Sequence, residues 1–138
     1  MAFTKKVAKH DRIEIDGVDY SNAFRQFGFS SEHSTEDVSG FSVSGVDETL
    51  PGNTAQGFSG EMFYTEESAP AIWAIHKNKE IVEIVFQPDG LVNPSATTYY
   101  ANCTINQFGP ADTRGSVSTM PFSATTADQN GIQSAPGT

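Results

Sequence analysis

The sequence predicts an all-β fold, a β-sandwich or barrel with one short flanking α-helix and a long connection between two of its strands. Three observations predict it. Ten Phe and four Tyr in 138 residues suit a pleated, half-buried surface better than a leucine-rich bundle. Apolar and polar residues alternate over several short runs, the period of a strand with one covered face. Twelve Gly and seven Pro punctuate those runs, as frequent turns require. The length suits a single domain with one core.

Residues 1–17 read as an N-terminal arm and a first short strand, 18–127 as the β-domain, and 128–138 as a C-terminal tail. Lys5, Lys6, Lys9 and Arg12, set against Asp11, make the only basic segment. It is either a solvated arm or one that docks onto a neighbouring subunit. No apolar run follows Met1 to Lys6, so no secretory signal is expected, and no stretch approaches the roughly 18 apolar residues of a membrane span. Arg12-Ile13-Glu14-Ile15-Asp16-Gly17 alternates and ends at a turn, as a short strand would.

Asn22 to His33 reads as a longer strand. Phe27 and Phe29 share one face with Ala23 and Arg25, and Gln26, Gly28, Ser30 and Glu32 share the other. Phe24 has the wrong parity, so a bulge or a change of face is expected near Arg25. Residues 34–52 have poor strand continuity and many turn residues, and read as a long loop. Phe41, Val43, Val46 and Leu50 dot it, so contact with something else must order it. Between Arg25 and Lys77 there is no Lys or Arg, while Glu32, Glu36, Asp37, Asp47, Glu48, Glu61, Glu66 and Glu67 lie there. That is a one-sign field over a third of the chain.

Thr54 to Tyr64 is the returning strand, with Phe58, Met62 and Tyr64 on one face and Gly57, Ser59 and Glu61 on the other. A helix is expected over 68–78, with Ser68 as N-cap and Pro70 in the first turn. Its Ile72, Ile75 and His76 form a stripe, and so short a helix must lie on the sheet. Ile81 to Phe86 is apolar on both faces and is expected to be covered on both. After a turn region begun by Pro88-Asp89-Gly90 comes a strand from Tyr99, with Tyr99, Ala101, Cys103 and Ile105 inward. The last strand falls within Gly115 to Thr126, where Met120, Phe122 and Ala124 share a face and Pro121 marks an edge or bulge. Gln129 to Thr138 is small-residue chain, expected to be mobile in isolation.

No pattern of catalytic or metal-ligating residues emerges. His10, His33 and His76 are far apart and lack a carboxylate or Cys cluster at ligand spacing. Asp11 to Asp19 lacks the spacing of a calcium loop, and Gly40 to Ser44 falls one residue short of a nucleophile elbow. Phosphate loops and dinucleotide fingerprints are absent from the sequence. Cys103 reads as a buried structural thiol. The net charge of −9 opposes gripping phosphates. No enzyme, metal or cofactor is expected.

The run Asp37-Val38-Ser39-Gly40-Phe41, then Leu50-Pro51-Gly52, then Phe58-Ser59-Gly60-Glu61-Met62-Phe63-Tyr64 resembles the major tail tube protein of long-tailed (siphovirus-like) bacteriophages. The helix, Phe86-Gln87-Pro88-Asp89-Gly90, Tyr99-Tyr100-Ala101-Asn102-Cys103 and Phe122-Ser123-Ala124-Thr125 follow in that family's order. The resemblance spans Val18 to Ile132 and rests on turns and aromatics rather than a signature. Pro121 departs from it.

The resemblance implies a β-sandwich or barrel of the phage tail tube type whose copies form hexameric rings stacked into a tube. Strands from every subunit would line the channel, and the 34–52 loop would reach the adjacent ring. The implied partners are copies of itself, the tape measure protein, and the tail terminator and tail-tip proteins. Double-stranded DNA would pass through without specific binding, since an acidic lining repels the duplex. The implied setting is the virion tail, assembled in the host bacterial cytoplasm, with no membrane partner. By face parity, Gln26, Ser30, Glu32, Ser59 and Glu61 are the expected lumen-facing residues. Asp37, Val38, Phe41, Val43 and Leu50 are expected to make ring-stacking contacts. A neck, tail terminator or tail-tip protein of the same fold is the alternative. Rivals of other classes are a carbohydrate-binding β-sandwich and a small glycosidase-like enzyme. The former wants an exposed aromatic row, but Trp73 falls in the helix and Tyr99 and Tyr100 point to opposite faces.

Overall fold

A computed structural model describes residues 10–40, 45, 49–110, 112 and 114–137. Among these, the strands are β1 (Arg12–Ile15), β2 (Val18–Asp19), β3 (Phe24–Asp37), β4 (Thr49–Phe63), β5 (Ile81–Gln87), β6 (Thr98–Gln107), β7 (Thr119–Thr126) and β8 (Gln133–Ala135), with one α-helix, α1 (Ala69–Lys77), between β4 and β5. These strands belong to one antiparallel sheet, ordered β2-β1-β5-β6-β7-β4-β3, with β8 beside β6. The predicted all-β class with one short helix is what the chain adopts.

The sheet curls until its two ends share a core. Ile13, Ile15, Val82, Ile84, Phe86, Ala101, Cys103 and Ile105 come from one half, and Phe58, Met62, Met120, Phe122 and Ala124 from the other. Phe27 on terminal strand β3 meets Phe86 on β5 at 5.1 Å between ring centroids, and Phe29 meets Tyr99 of β6 at 4.8 Å. Offset and edge-on aromatic contacts of this kind favour closure beyond the area they bury. Of the inward sets expected from alternation, Phe58 and Met62, and Met120 with Phe122 and Ala124, lie in the core, whereas Tyr64, just past the end of β4, is 37% exposed.

α1 packs against β6 with Ala69, Ile72 and Ile75 buried. His76 ties it to the sheet through Nδ1, 2.9 Å from the Ile105 carbonyl oxygen. Pro70 sits in the first turn, as expected, but Ser68 makes no capping bond. Thr65 takes that part instead: its Oγ1 accepts from the Ser68 N–H at 3.1 Å, and its carbonyl accepts from the Ala69 N–H at 3.0 Å. The Ser68 side chain turns back to the Thr65 hydroxyl, 2.6 Å away.

Three further departures have local causes, and the edge or bulge expected at Pro121 is present. β3 continues to Asp37 and β4 starts at Thr49, so paired strand reaches well into the stretch read as loop. That part is a ribbon exposed on both faces, and it carries no burial period to read. Ile81 is 64% exposed and Val85 only half-buried, so the outer face of β5 is uncovered in the single chain. Residues 133–135 are strand rather than loose tail: they pair Tyr100, Tyr99 and Thr98 of β6 through backbone bonds that small polar side chains do not announce. Finally, Pro121 lies within the sheet, opposite Glu61, but the β6–β7 ladder reaches only Ser123. The flank of β7 beside Pro121 therefore lacks a ladder partner among the described residues, and there a residue without an N–H is tolerated.

Candidate assembly surface

The feature that sets this fold apart is an arm. β7 pairs β4 only from Gly57 to Phe63, while β3 and β4 stay paired to Asp37 and Thr49. Among the described residues, Thr49 to Gln56 thus has β3 as its only ladder partner, and β3 ends the sheet with an unpaired outer edge. The paired part of the arm is about 20 Å long at the rise of an antiparallel strand. A bare edge of this length is what soluble monomers ordinarily hide.

Register assigns the faces. Gln26 opposes Glu61, Gly28 opposes Ser59, Ser30 opposes Gly57 and Glu32 opposes Ala55. Directly opposed residues of an antiparallel pair point the same way. Gln26, Ser30, Ser59 and Glu61 therefore share one face of the ribbon, and Glu32 continues it onto the arm. β7 extends that face with Pro121, Ser123 and Thr125, opposite Glu61, Ser59 and Gly57. The centre of this surface is small and uncharged. The expected irregularity near Arg25 is present: the register shifts between Phe24 and Gln26, which lets Phe24 turn inward onto Phe122 at 5.3 Å while Gln26 stays outside.

That bulge also places a cation no face-parity argument anticipated. Arg25 Nη1 lies 3.7 Å from Glu61 Oε1, with the side chains 64% and 35% exposed. So open a pair adds little stability, but it offsets the Glu61 carboxylate.

At the far end, Asp37 Oδ1 accepts from the Ser39 N–H at 2.9 Å, closing a turn as β3 ends. This bond, made by the ionised form, holds the Asp37 carboxyl below its usual value. Val38 is 45% and Leu50 56% exposed, on either side of the arm's distal end. Phe41 and Val43 lie outside the described residues.

Gln56 marks the root of the arm, the last β4 residue before the β7 ladder. Its Oε1 accepts from the Ile132 N–H at 2.8 Å, and its Nε2 donates to Ser31 Oγ at 2.8 Å. Nothing in the hydrophobic pattern singles it out. Elsewhere, buried Gln87 donates from Nε2 to the Pro94 and Ala96 carbonyls at 3.1 and 2.8 Å, and accepts from Arg12 Nε at 2.9 Å. It pins the β5–β6 connection from inside.

Cys103 is fully buried, and burial first, with Asp128 second, pushes its thiol up to about 11. A cavity of about 420 Å³ lies between Val18 to Ala23 and the start of α1, lined by Val18, Tyr20, Ala23 and Ala71 together with the polar Asp19, Asn22, Thr65, Glu67 and Ser68. Among the described residues, no cluster of His, Cys, Asp and Glu could hold a metal ion, and no helix is long and apolar enough to cross a membrane.

A curled antiparallel sheet with a flanking helix and a projecting β3–β4 arm is the tail-tube fold. The chain superposes on a protein of the virion of a native gene transfer agent particle with a TM-score of 0.76 and 15% identity, covering 95% of this chain and 99% of that one. A protein of the tail of an empty gene transfer agent particle with C6 symmetry matches at 0.67 and 16% identity, over 82% of each chain. The SPP1 tail tube protein matches at 0.64 and 12% identity, over 93% of this chain and 76% of that one. No protein-family profile and no curated protein sequence matches the chain. At such identities the likeness is one of fold.

Proposed function

We propose that this chain is the repeating structural subunit of a phage-type tail tube, which joins copies of itself into six-membered rings that stack around a channel for DNA. The observation that carries this reading is the arm, a two-stranded ribbon with a bare outer edge, exposed Val38 and Leu50 at its end, and no covering element among the described residues. Such a ribbon gains buried area and ladder bonds only from another molecule. The six-fold count draws support from the fold's likeness to a subunit of a C6-symmetric tail.

In this reading, Gln26, Ser30, Glu32, Ser59 and Glu61 face the lumen. That face offers short neutral side chains with carboxylates at Glu32 and Glu61, and Arg25 sits beside Glu61 as a partial counterweight. A duplex meeting such a wall finds few donors for its phosphates and slides. Asp37, Val38 and Leu50, with Phe41 and Val43, contact the next ring. The tape measure protein, tail terminator and tail-tip proteins would be the other partners, and the tail of a virion the place of action, with assembly in the host cytoplasm. The role is structural, without a catalytic step.

Electron microscopy of the concentrated, purified protein tests this. Rings or tubes are expected. Removing residues 39–44 should leave folded protein that no longer polymerises, and abundant tubes from that variant would refute the role given to the arm.

A further inference from the structure

We propose that Gln56 is a positioning residue for assembly, the pin by which the C-terminal segment braces the β3–β4 arm and fixes the direction in which it projects; this rests on the tube reading above. Gln56 stands where β4 loses its second neighbour, so the ribbon beyond it could swing as a hinged unit. Three segments converge there. Ser31, its cross-strand partner on β3, accepts from Nε2; the Ile132 N–H donates to Oε1; and Thr126 Oγ1 at the end of β7 reaches the Gln56 carbonyl at 3.5 Å. Both polar ends of the amide are thereby used, one toward the arm and one toward the tail.

The tail is shaped to present that N–H. The Ala127 N–H donates to the Asn102 carbonyl at 2.8 Å, and Asn102 Nδ2 donates to Asp128 Oδ2 at 3.0 Å. Asp128 Oδ1 accepts from the Asn130 N–H at 3.0 Å, and Gly131 follows with φ at 64°. The left-handed turn favours glycine at 131, and a Cβ there would meet Gln56 Oε1, the free end of a flexible side chain, and push it off its contact with the tail. Past Ile132, β8 locks onto β6, and Gly137 sits against the Pro94 and Ala96 carbonyls, where a side chain would not fit. The tail is thus anchored on both sides of its contact with the arm's root, as a brace must be.

The test pairs Gln56→Ala with Ser31→Ala, which removes the arm-side partner at an exposed position. Two quantities are read: amide exchange of residues 30–37 and 49–55, and the protein concentration at which tubes form. In Gln56→Ala, exchange in the arm should quicken about fivefold, the equivalent of one net hydrogen bond, while the β5–β6 core is unchanged. The assembly concentration should rise by a similar factor, and Ser31→Ala should move both in the same direction by less. Arm exchange and assembly concentration unchanged in Gln56→Ala would overturn the brace. If Gln56→Ala does not fold, Ser31→Ala decides alone, and unchanged arm exchange there overturns it equally. Wild-type protein that forms no rings or tubes contradicts the tube reading, while arm exchange still decides whether Gln56 braces the arm.

Discussion

Phe27 of β3 packs its ring at 66° to that of Phe86 on β5, 5.1 Å away, although β6, β7 and β4 all lie between those two strands in the sheet. The contact closes the curl. It also sets where the arm leaves the body, because β3 is held there through Phe24, Phe27 and Phe29 and departs beyond them.

Phe86→Ala should therefore lose about 3–5 kcal/mol in a urea titration, the range for a large aromatic removed from a core. Phe27→Ala, at a half-buried position, should lose less. The two should couple by about 0.5–1.5 kcal/mol in a double-mutant cycle, because they share one contact.

Much of this was legible in advance because burial writes a period into the sequence. The inward sets on β4, β6 and β7, the stripe of α1 and the irregularity at Arg25 all follow from alternation and its one break. What the sequence withheld was polar or made by the backbone. The ribbon to Asp37 and Thr49 is exposed on both faces, β8 pairs through main-chain bonds, and Gln56 and Thr65 act through single side-chain contacts that no periodicity marks. Of the candidate surface, face membership for Gln26, Ser30, Ser59 and Glu61 could be read from parity. The Arg25–Glu61 pair could not, because it depends on how the bulge aims one side chain.

Cys103 should resist alkylation in native protein at about pH 8 and react fully once denatured, since burial holds its thiol near 11. Measurable native-state labelling would mean that β6 opens far more readily than the complete burial of Cys103 allows.

The tail should loosen in acid. Asp128 is held below its ordinary 3.8, chiefly by the hydrogen bond from Asn102, so its folded value lies beneath its unfolded one. The stabilisation is fully present above pH 3.8 and is lost as pH falls through the lower folded value. Amide signals of Gly131 and Ile132 should report this loss, and Asp128→Asn should abolish the pH dependence at those two residues.

Charge reversal of the proposed lumen residues should separate assembly from conduction. Glu32→Lys with Glu61→Lys should leave tubes that form, because neither residue is in the core. Those tubes should deliver DNA slowly or stall, since the ammonium introduced by Glu61→Lys would join Arg25 in a basic cluster facing the duplex. Ejection at the normal rate would count against the lumen assignment. Arg25→Ala alone should change stability by no more than about 0.5 kcal/mol, as suits so exposed a pair.

The central claim is that the arm's bare edge and exposed end are completed by other copies of the same chain. Cryo-electron microscopy of the protein at high concentration tests it most directly. The expected image is six-fold rings stacked into a tube, with each β3–β4 arm against a neighbouring copy and the Ser30–Ser59 face toward the channel. A monodisperse monomer with the arm folded onto its own body, or a channel wall lined by lysine and arginine, would contradict it.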